Sequence, residues 1–185
     1  MLKRDEIFFS GNLVRARLFL TEDITDKYIS WLQDPLVTKY SNQRLLKHDY
    51  QSCLNYFNSF EGTENFFLAI EKLEEKTMIG TLTCYVSLHS SLVDVGILIG
   101  EHNVWGKGYG QDIWDSALNW LIKDCGYHKI TAGTVRSNKG MLSLMERSNM
   151  KLEAVKVNQE FFEGKFEDLL YYAKFNPEFK IKSSK

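Results

Sequence analysis

The chain has 185 residues, 44% hydrophobic and 14% aromatic, which is enough apolar material for one compact core and argues against a disordered polymer. Its 23 Lys+Arg against 24 Asp+Glu leave a formal net charge of −1, so it lacks the basic excess that bulk nucleic-acid binding requires, and no nucleic-acid partner is expected. No apolar run approaches the roughly 20 residues needed to span a bilayer, and Ile7-Phe8-Phe9 is too short for the apolar core of a secretory signal; a cytoplasmic protein with no membrane partner is expected.

Residues 13–20 alternate apolar and polar side chains at their start and read as a first strand. Ile24, Tyr28, Trp31 and Leu32 then fall at helical spacing, and Asp34-Pro35 closes that helix because proline disfavours helical geometry in the residue before it. Tyr50, Cys53, Leu54 and Phe57 predict a second helix, with Asp49 as its cap. Three strands follow, at 66–70, 78–86 and 92–99, the first two joined by the charged turn Leu73-Glu74-Glu75-Lys76. The third is almost continuously apolar around Gly96 and reads as a central strand covered on both faces. Ile113, Trp114, Ala117, Leu118, Leu121 and Ile122 form a helical stripe that ends near Gly126. Residues 129–135 predict a strand, and Met141, Leu144, Met145 and Ser148 share one face of a short helix. A hairpin of 151–162 and 166–175 closes the chain, turning at Glu163-Gly164-Lys165. The order β-αα-βββ-α-β-α-ββ is α+β, one domain over 1–179, followed by a basic, frayed tail over 180–185.

The segment that carries chemistry is Val104-Trp105-Gly106-Lys107-Gly108-Tyr109-Gly110-Gln111, between a buried strand and an amphipathic helix. Glycines at alternate positions let successive N–H groups turn inward as an anion nest, and the helix that follows adds unpaired N–H groups and its positive dipole end. Together these suit a pyrophosphate. A dinucleotide-binding fingerprint starting at Gly106 would need glycine where Gln111 stands, and a P-loop would need Ser or Thr where Gly108 follows Lys107. His48, His89, His102 and His128 show no ligand spacing, so no metal is expected. Cys53, Cys84 and Cys125 are widely spaced, and each is expected to be a small buried hydrophobe rather than a nucleophile. The aromatic residues between Tyr50 and Phe67 suit a core, with the lining of an acceptor pocket as the alternative.

The order of elements and this loop resemble the GNAT N-acetyltransferases, in particular the branch of ribosomal-protein alanine and amino-sugar acetyltransferases. Gly108-Tyr109-Gly110 matches the Gly-x-Gly of the family's pyrophosphate loop, with Trp105 in place of its usual Arg or Gln. Trp31-Leu32-Gln33-Asp34-Pro35, Met78-Ile79-Gly80-Thr81, Asp94-Val95-Gly96-Ile97, Asn138 and Glu163-Gly164-Lys165-Phe166-Glu167-Asp168 match further pieces in order. The resemblance implies a mostly antiparallel sheet of about seven strands, splayed in the middle and flanked by about four helices. It implies transfer of an acetyl group from acetyl-CoA, as co-substrate, to a primary amine by direct attack. The acceptor would be a protein N-terminus or an amino sugar, free or nucleotide-linked, and the protein a monomer or homodimer.

Carried over by position, the resemblance assigns backbone contacts to the pantetheine arm to Ile97 and Ile99. It assigns the pyrophosphate to Trp105, Gly106, Lys107, Gly108, Tyr109 and Gly110, and a hydrogen bond to the pantetheine arm to Asn138, which an ordinary helix cap would equally explain. Asp94, Glu101 and Glu160 are candidate bases, because a protonated amine cannot attack a thioester. Glu160 is preferred, standing four residues ahead of the turn glycine Gly164, where the branch carries its proposed proton acceptor. The general acid has no assignment: Met141 and Met145 replace the family's Ser and Tyr, Ser143 has a different helical phase, and Tyr171 or Tyr172 could serve only if the hairpin delivers them. The same replacements leave a second reading, a non-catalytic acyl-CoA-binding sensor on this scaffold.

Overall fold

The computed structural model describes residues 7–180, whose eight strands form one open sheet in the order β1-β2-β3-β4-β5-β6-β8-β7. β1 (Ile7–Ser10), β2 (Val14–Leu18), β3 (Phe66–Lys72), β4 (Met78–Ser87) and β5 (Leu92–Ile99) are antiparallel in sequence. β6 (Lys129–Val135) pairs parallel to β5 and antiparallel to β8 (Lys165–Phe175), which pairs in turn with the edge strand β7 (Lys151–Phe162). The sequence pattern gave seven strands; β1 is the eighth. At four residues it is too short for a period-2 pattern to register, and it is held by Phe8 and Phe9 packing on Trp120 at ring-centroid distances of 5.5 and 5.1 Å. All but the first residue of the expected frayed tail lies outside the described residues.

The helices begin where local chemistry supplies a cap. Thr25 accepts from the Tyr28 N–H at the start of α1 (Asp26–Gln33), and Asp49 with Ser52 forms a reciprocal capping box on α2 (Tyr50–Asn58). α3 (Tyr109–Asn119) runs on as a π-helical turn, Trp120–Asp124, and Asn138 caps α4 (Lys139–Arg147). α1 ends at Asp34, whose ψ of 117° is the extended geometry that Pro35 imposes.

Alternation along the strands sends side chains to opposite faces and creates two cores. Leu68 and Ile70 of β3 join Ile113, Trp114, Leu118 and Met145 beneath α3 and α4. Phe67 and Ala69 join Phe19, Tyr28, Trp31 and Cys53 beneath α1 and α2. Cys53 and Cys84 are buried as expected, whereas Cys125 is exposed, because it follows the last turn of α3 and points away from either core. Asp112 ties α3 to the β1–β2 turn: its carboxylate accepts from the N–H groups of Asn12, Leu13 and Val14 at 2.9, 2.8 and 3.1 Å. A Cβ on Gly11 would lie 2.2 Å from that carboxylate, so this close approach requires glycine.

Candidate active site

The sheet opens in its middle. β5 and β6 pair through only three positions, from Leu92↔Lys129 to Asp94↔Thr131. Beyond them β5 stays with β4 as far as Gly80↔Ile99, while β6 stays with β8 as far as Val135↔Leu169. Residues 95–99 and 132–135 therefore line two diverging strand edges, each with one row of backbone N–H and C=O groups that the other strand does not take. At the apex the Thr131 hydroxyl donates to Asp94 Oδ2 at 2.6 Å. Ile97 and Ile99 both lie on the β5 edge of this opening, half-buried on the α3 side.

Past β5 the chain makes a 3-10 turn, His102–Val104, and enters the glycine loop. Gly106 and Gly108 have φ of 72° and 89°, the left-handed region that a residue with Cβ adopts at a cost. Gly108 is the N-cap of α3, whose first helical bond is Asp112 N–H to Gly108 O at 2.9 Å. The N–H groups of Gly108, Tyr109, Gly110 and Gln111 precede that bond and have no acceptor among the described residues. Converging donors on exposed backbone at the positive end of a helix suit an anion of pyrophosphate size. Lys107 is exposed beside them and pairs with no carboxylate among the described residues. Trp105 is 42% exposed, stacks on His102 at 4.3 Å, and donates from Nε1 to the Ile99 carbonyl at 2.9 Å, so its indole fixes the loop to the end of β5.

On the α1–α2 side of the opening, Asp94, Glu160, Tyr171, Tyr40 and Arg44 line a cavity of about 210 Å³ whose remaining wall includes Gly133, Thr134 and Val135 of β6. Burial pushes the Asp94 carboxyl above its usual range, opposed by the hydrogen bond from Thr131. A bulge in β7 delivers Glu160. Register passes from Lys156↔Leu169 to Glu160↔Glu167, so three β7 residues face one β8 residue. Asn158 takes a φ of 51° within it and donates its N–H to Asp168 at 3.0 Å, while Arg136 holds the same carboxylate at 2.9 Å. Glu101 stands apart from this pair: it follows β5 and is ion-paired with Lys27 of α1.

The two hairpin tyrosines separate. Tyr171 reaches the cavity, its ring 3.0 Å from where a Cβ on Gly133 would sit. Tyr172 turns to the other face and donates its hydroxyl to Glu146 of α4 at 3.0 Å. On α4 itself Met145 is fully buried and Met141 half-buried in the core, and Ser143 is exposed. Asn138 accepts from the Met141 N–H at 3.2 Å and donates to Thr134 Oγ1 at 3.0 Å, a cap that leaves one amide hydrogen and one lone pair free. A second cavity of about 190 Å³ borders Gly96 and Ile97 and is walled by Tyr28, Tyr56, Phe67 and Tyr85, with the hydroxyls of Tyr56 and Tyr85 at 3.0 Å. These aromatic residues serve the core and the cavity wall at once. Arg44 and Tyr40 carried no motif and enter the site only through the folding of the α1–α2 connection. Among the described residues no three His, Cys, Asp or Glu side chains form a group suited to a metal ion.

Residues 14–151 match a family model described as an acetyltransferase (GNAT) domain. An uncharacterised protein of Methanocaldococcus jannaschii is 24% identical over 132 residues, 71% of this chain; the chain spans only 27% of that relative's length. Among solved structures, a Vibrio cholerae spermidine N-acetyltransferase in complex with CoA and spermine superposes with a TM-score of 0.79 at 15% identity, covering 90% of this chain and 97% of its own. A ribosomal-protein-S5-alanine acetyltransferase from Vibrio fischeri gives 0.72 at 16% identity, covering 96% and 100%.

Proposed function

The chain belongs to the GNAT acetyltransferase family, and from that premise we propose that it transfers the acetyl group of acetyl-CoA to a primary amine. The observation that supports this most directly is a coincidence of three features. A splayed sheet centre, a glycine nest at a helix start, and a cavity holding two carboxylates all meet along β5. The unpaired N–H groups of residues 108–111 fit the pyrophosphate, and the β5 edge left open over 95–99, where only the Ile99 carbonyl is taken by Trp105, fits the pantetheine amides, as a ligand strand added to the sheet. Acetyl-CoA, when bound, supplies the thioester carbonyl that the amine attacks.

The chain's own residues have three tasks in this reading. Glu160, or Asp94 in the same cavity, accepts the proton from the acceptor ammonium and frees the nitrogen lone pair. The nitrogen then bonds to the acetyl carbon, the carbon–sulfur bond breaks as the nitrogen gives up its second proton to solvent, and the thiolate regains a proton from solvent or from Tyr171. An N–H of the open β5 edge stabilises the negative charge that develops on the carbonyl oxygen. The acceptors of the structural neighbours, a polyamine and a ribosomal-protein alanine, are both primary amines. Met141 and Met145 on α4 favour the second reading, a sensor that binds acyl-CoA without turnover. An acceptor screen over amino sugars, their nucleotide conjugates, polyamines and N-terminal peptides decides between them. Free thiol release with at least one amine is expected; binding of acetyl-CoA with no release from any amine supports the sensor.

A further inference from the structure

A larger cavity, of about 590 Å³, lies between the α1–α2 connection and the tip of the β7–β8 hairpin. Its charged lining is Lys39, Arg44 and Lys47 against the single carboxylate of Glu163, and the uncharged wall includes His48 and Phe162. In a chain of net charge −1 this is a local reversal of sign. Arg44 lines both this cavity and the one that holds Asp94 and Glu160, so the two spaces adjoin through its side chain. The guanidinium lies 5.4 Å from the Phe162 ring centroid and uses only Nη1, toward the Ser41 carbonyl at 2.8 Å and Asn42 Oδ1 at 3.4 Å. Its Nε and Nη2 donors have no partner among the described residues, and Lys47 forms no ion pair among them, with Asp49 acting on it only at longer range. Lys39 holds Glu163 at 3.1 Å across an exposed gap, a pairing weak enough to be exchanged for a ligand anion.

Resting on the acetyl-transfer reading, we infer that the acceptor amine carries a phosphate ester, read by Arg44, Lys47 and Lys39 while its amino group lies at the Asp94–Glu160 cavity. The free edge of a guanidinium matches a phosphate bidentately, and two lysines add charge from the flanks. A polyamine meets the wrong sign twice, since its other ammonium groups would face three cations. The exposed side chains of Leu45 and Leu46, 71% and 62% accessible on the same segment, give the uncharged part of such a ligand an apolar rim. Two sources share this chemistry: a sugar phosphate and a nucleoside-diphosphate sugar.

The first measurement uses protein saturated with coenzyme A, so that the glycine nest is already filled. Inorganic pyrophosphate and UDP are titrated in by calorimetry. Both should bind, and Lys47→Gln, an exposed position with no ion pair to lose, should weaken them about tenfold or more; Arg44→Gln should do the same. The second measurement compares glucosamine, glucosamine 1-phosphate, UDP-glucosamine, spermidine and an acidic N-terminal peptide as acceptors. At least one of the phosphorylated amines should exceed glucosamine in kcat/KM by tenfold or more, the better of them identifying the source, and Lys47→Gln should shrink that ratio. No binding of either anion, binding unchanged in both variants, or spermidine or the peptide outrunning both phosphorylated amines would overturn the inference and leave acetyl transfer standing. Thiol release from none of these amines would count against acetyl transfer itself, while the calorimetry still decides the anion site.

Discussion

Asp94 brings a carboxylate to the point where β5 and β6 separate, and burial there favours its neutral form. A carboxyl whose folded pKa lies above its unfolded value binds more protons in the native state between the two values. Stability therefore falls as pH rises through that window, and the full cost is carried above it. Asp94→Asn keeps an oxygen for the Thr131 hydroxyl and removes the charge. It should melt higher than the wild type at pH 8, with the advantage shrinking toward pH 4.5; thermal melts across that range check it, and a lower melting point at pH 8 would contradict the electrostatic account. Glu160 is tested through rate instead. Glu160→Gln keeps the shape and loses the base, so kcat/KM should drop by about 10²-fold, the lower end of general-base effects, with acetyl-CoA affinity retained. The loss should narrow as pH rises and free amine becomes abundant. A pH-independent loss below about threefold transfers the role to Asp94.

The glycine loop and α3 act as one element. Gly108 combines a left-handed φ of 89° with the N-cap position, and its amide is among the free donors of the nest. Gly108→Val should cost about 1–2 kcal/mol of backbone strain, a few degrees of melting temperature, and abolish the stabilisation by acetyl-CoA because the branched side chain fills the anion's place. Differential scanning fluorimetry with and without acetyl-CoA reads both effects; an undiminished ligand shift removes the loop from the site. Strands β2 to β8 and all four helices were legible in the sequence, because each carries a periodic pattern or a cap such as Asp49, Asn138 or Pro35. The position of the glycine loop ahead of α3 was legible too, since Gly106, Gly108 and Gly110 stand directly before the helical stripe. What sequence could not give was convergence. Asp94 and Glu160 come to line one cavity through a three-residue bulge at Asn158, whose positive φ leaves no mark in the alternation of β7. Tyr171 and Tyr172 are adjacent in sequence, and only the strand register sends one to the cavity and the other to Glu146. Glu101 stayed a candidate behind Glu160 in the sequence, which carries no sign that the fold places Lys27 beside it.

At the scale of the whole molecule the sheet is two half-sheets joined by three residue pairs. A ligand laid between them as an extra strand would bond to both and behave as a clasp. At a concentration of 100 times its Kd, acetyl-CoA should stabilise the chain by about 2.7 kcal/mol, or roughly 5–11 °C in Tm for a domain of this size. Hydrogen exchange should slow at residues 95–99 and 132–135, the two open edges. Protection confined to the α1–α2 side, with those edges unchanged, would move the coenzyme elsewhere.

The clamp formed by Asp112 also sets a clock. Its acceptors serve Asn12, Leu13 and Val14, which lie 100, 99 and 98 residues earlier in the chain. At about 5–20 residues per second, a ribosome emits the first two strands some 5–20 s before the carboxylate that anchors them exists. During that interval the N–H groups of Asn12, Leu13 and Val14 lack their carboxylate, and until β3 has been made β2 offers an unprotected edge to any neighbouring nascent chain. The residue that ties the first turn to α3 in the finished fold is thus absent while that turn is being made.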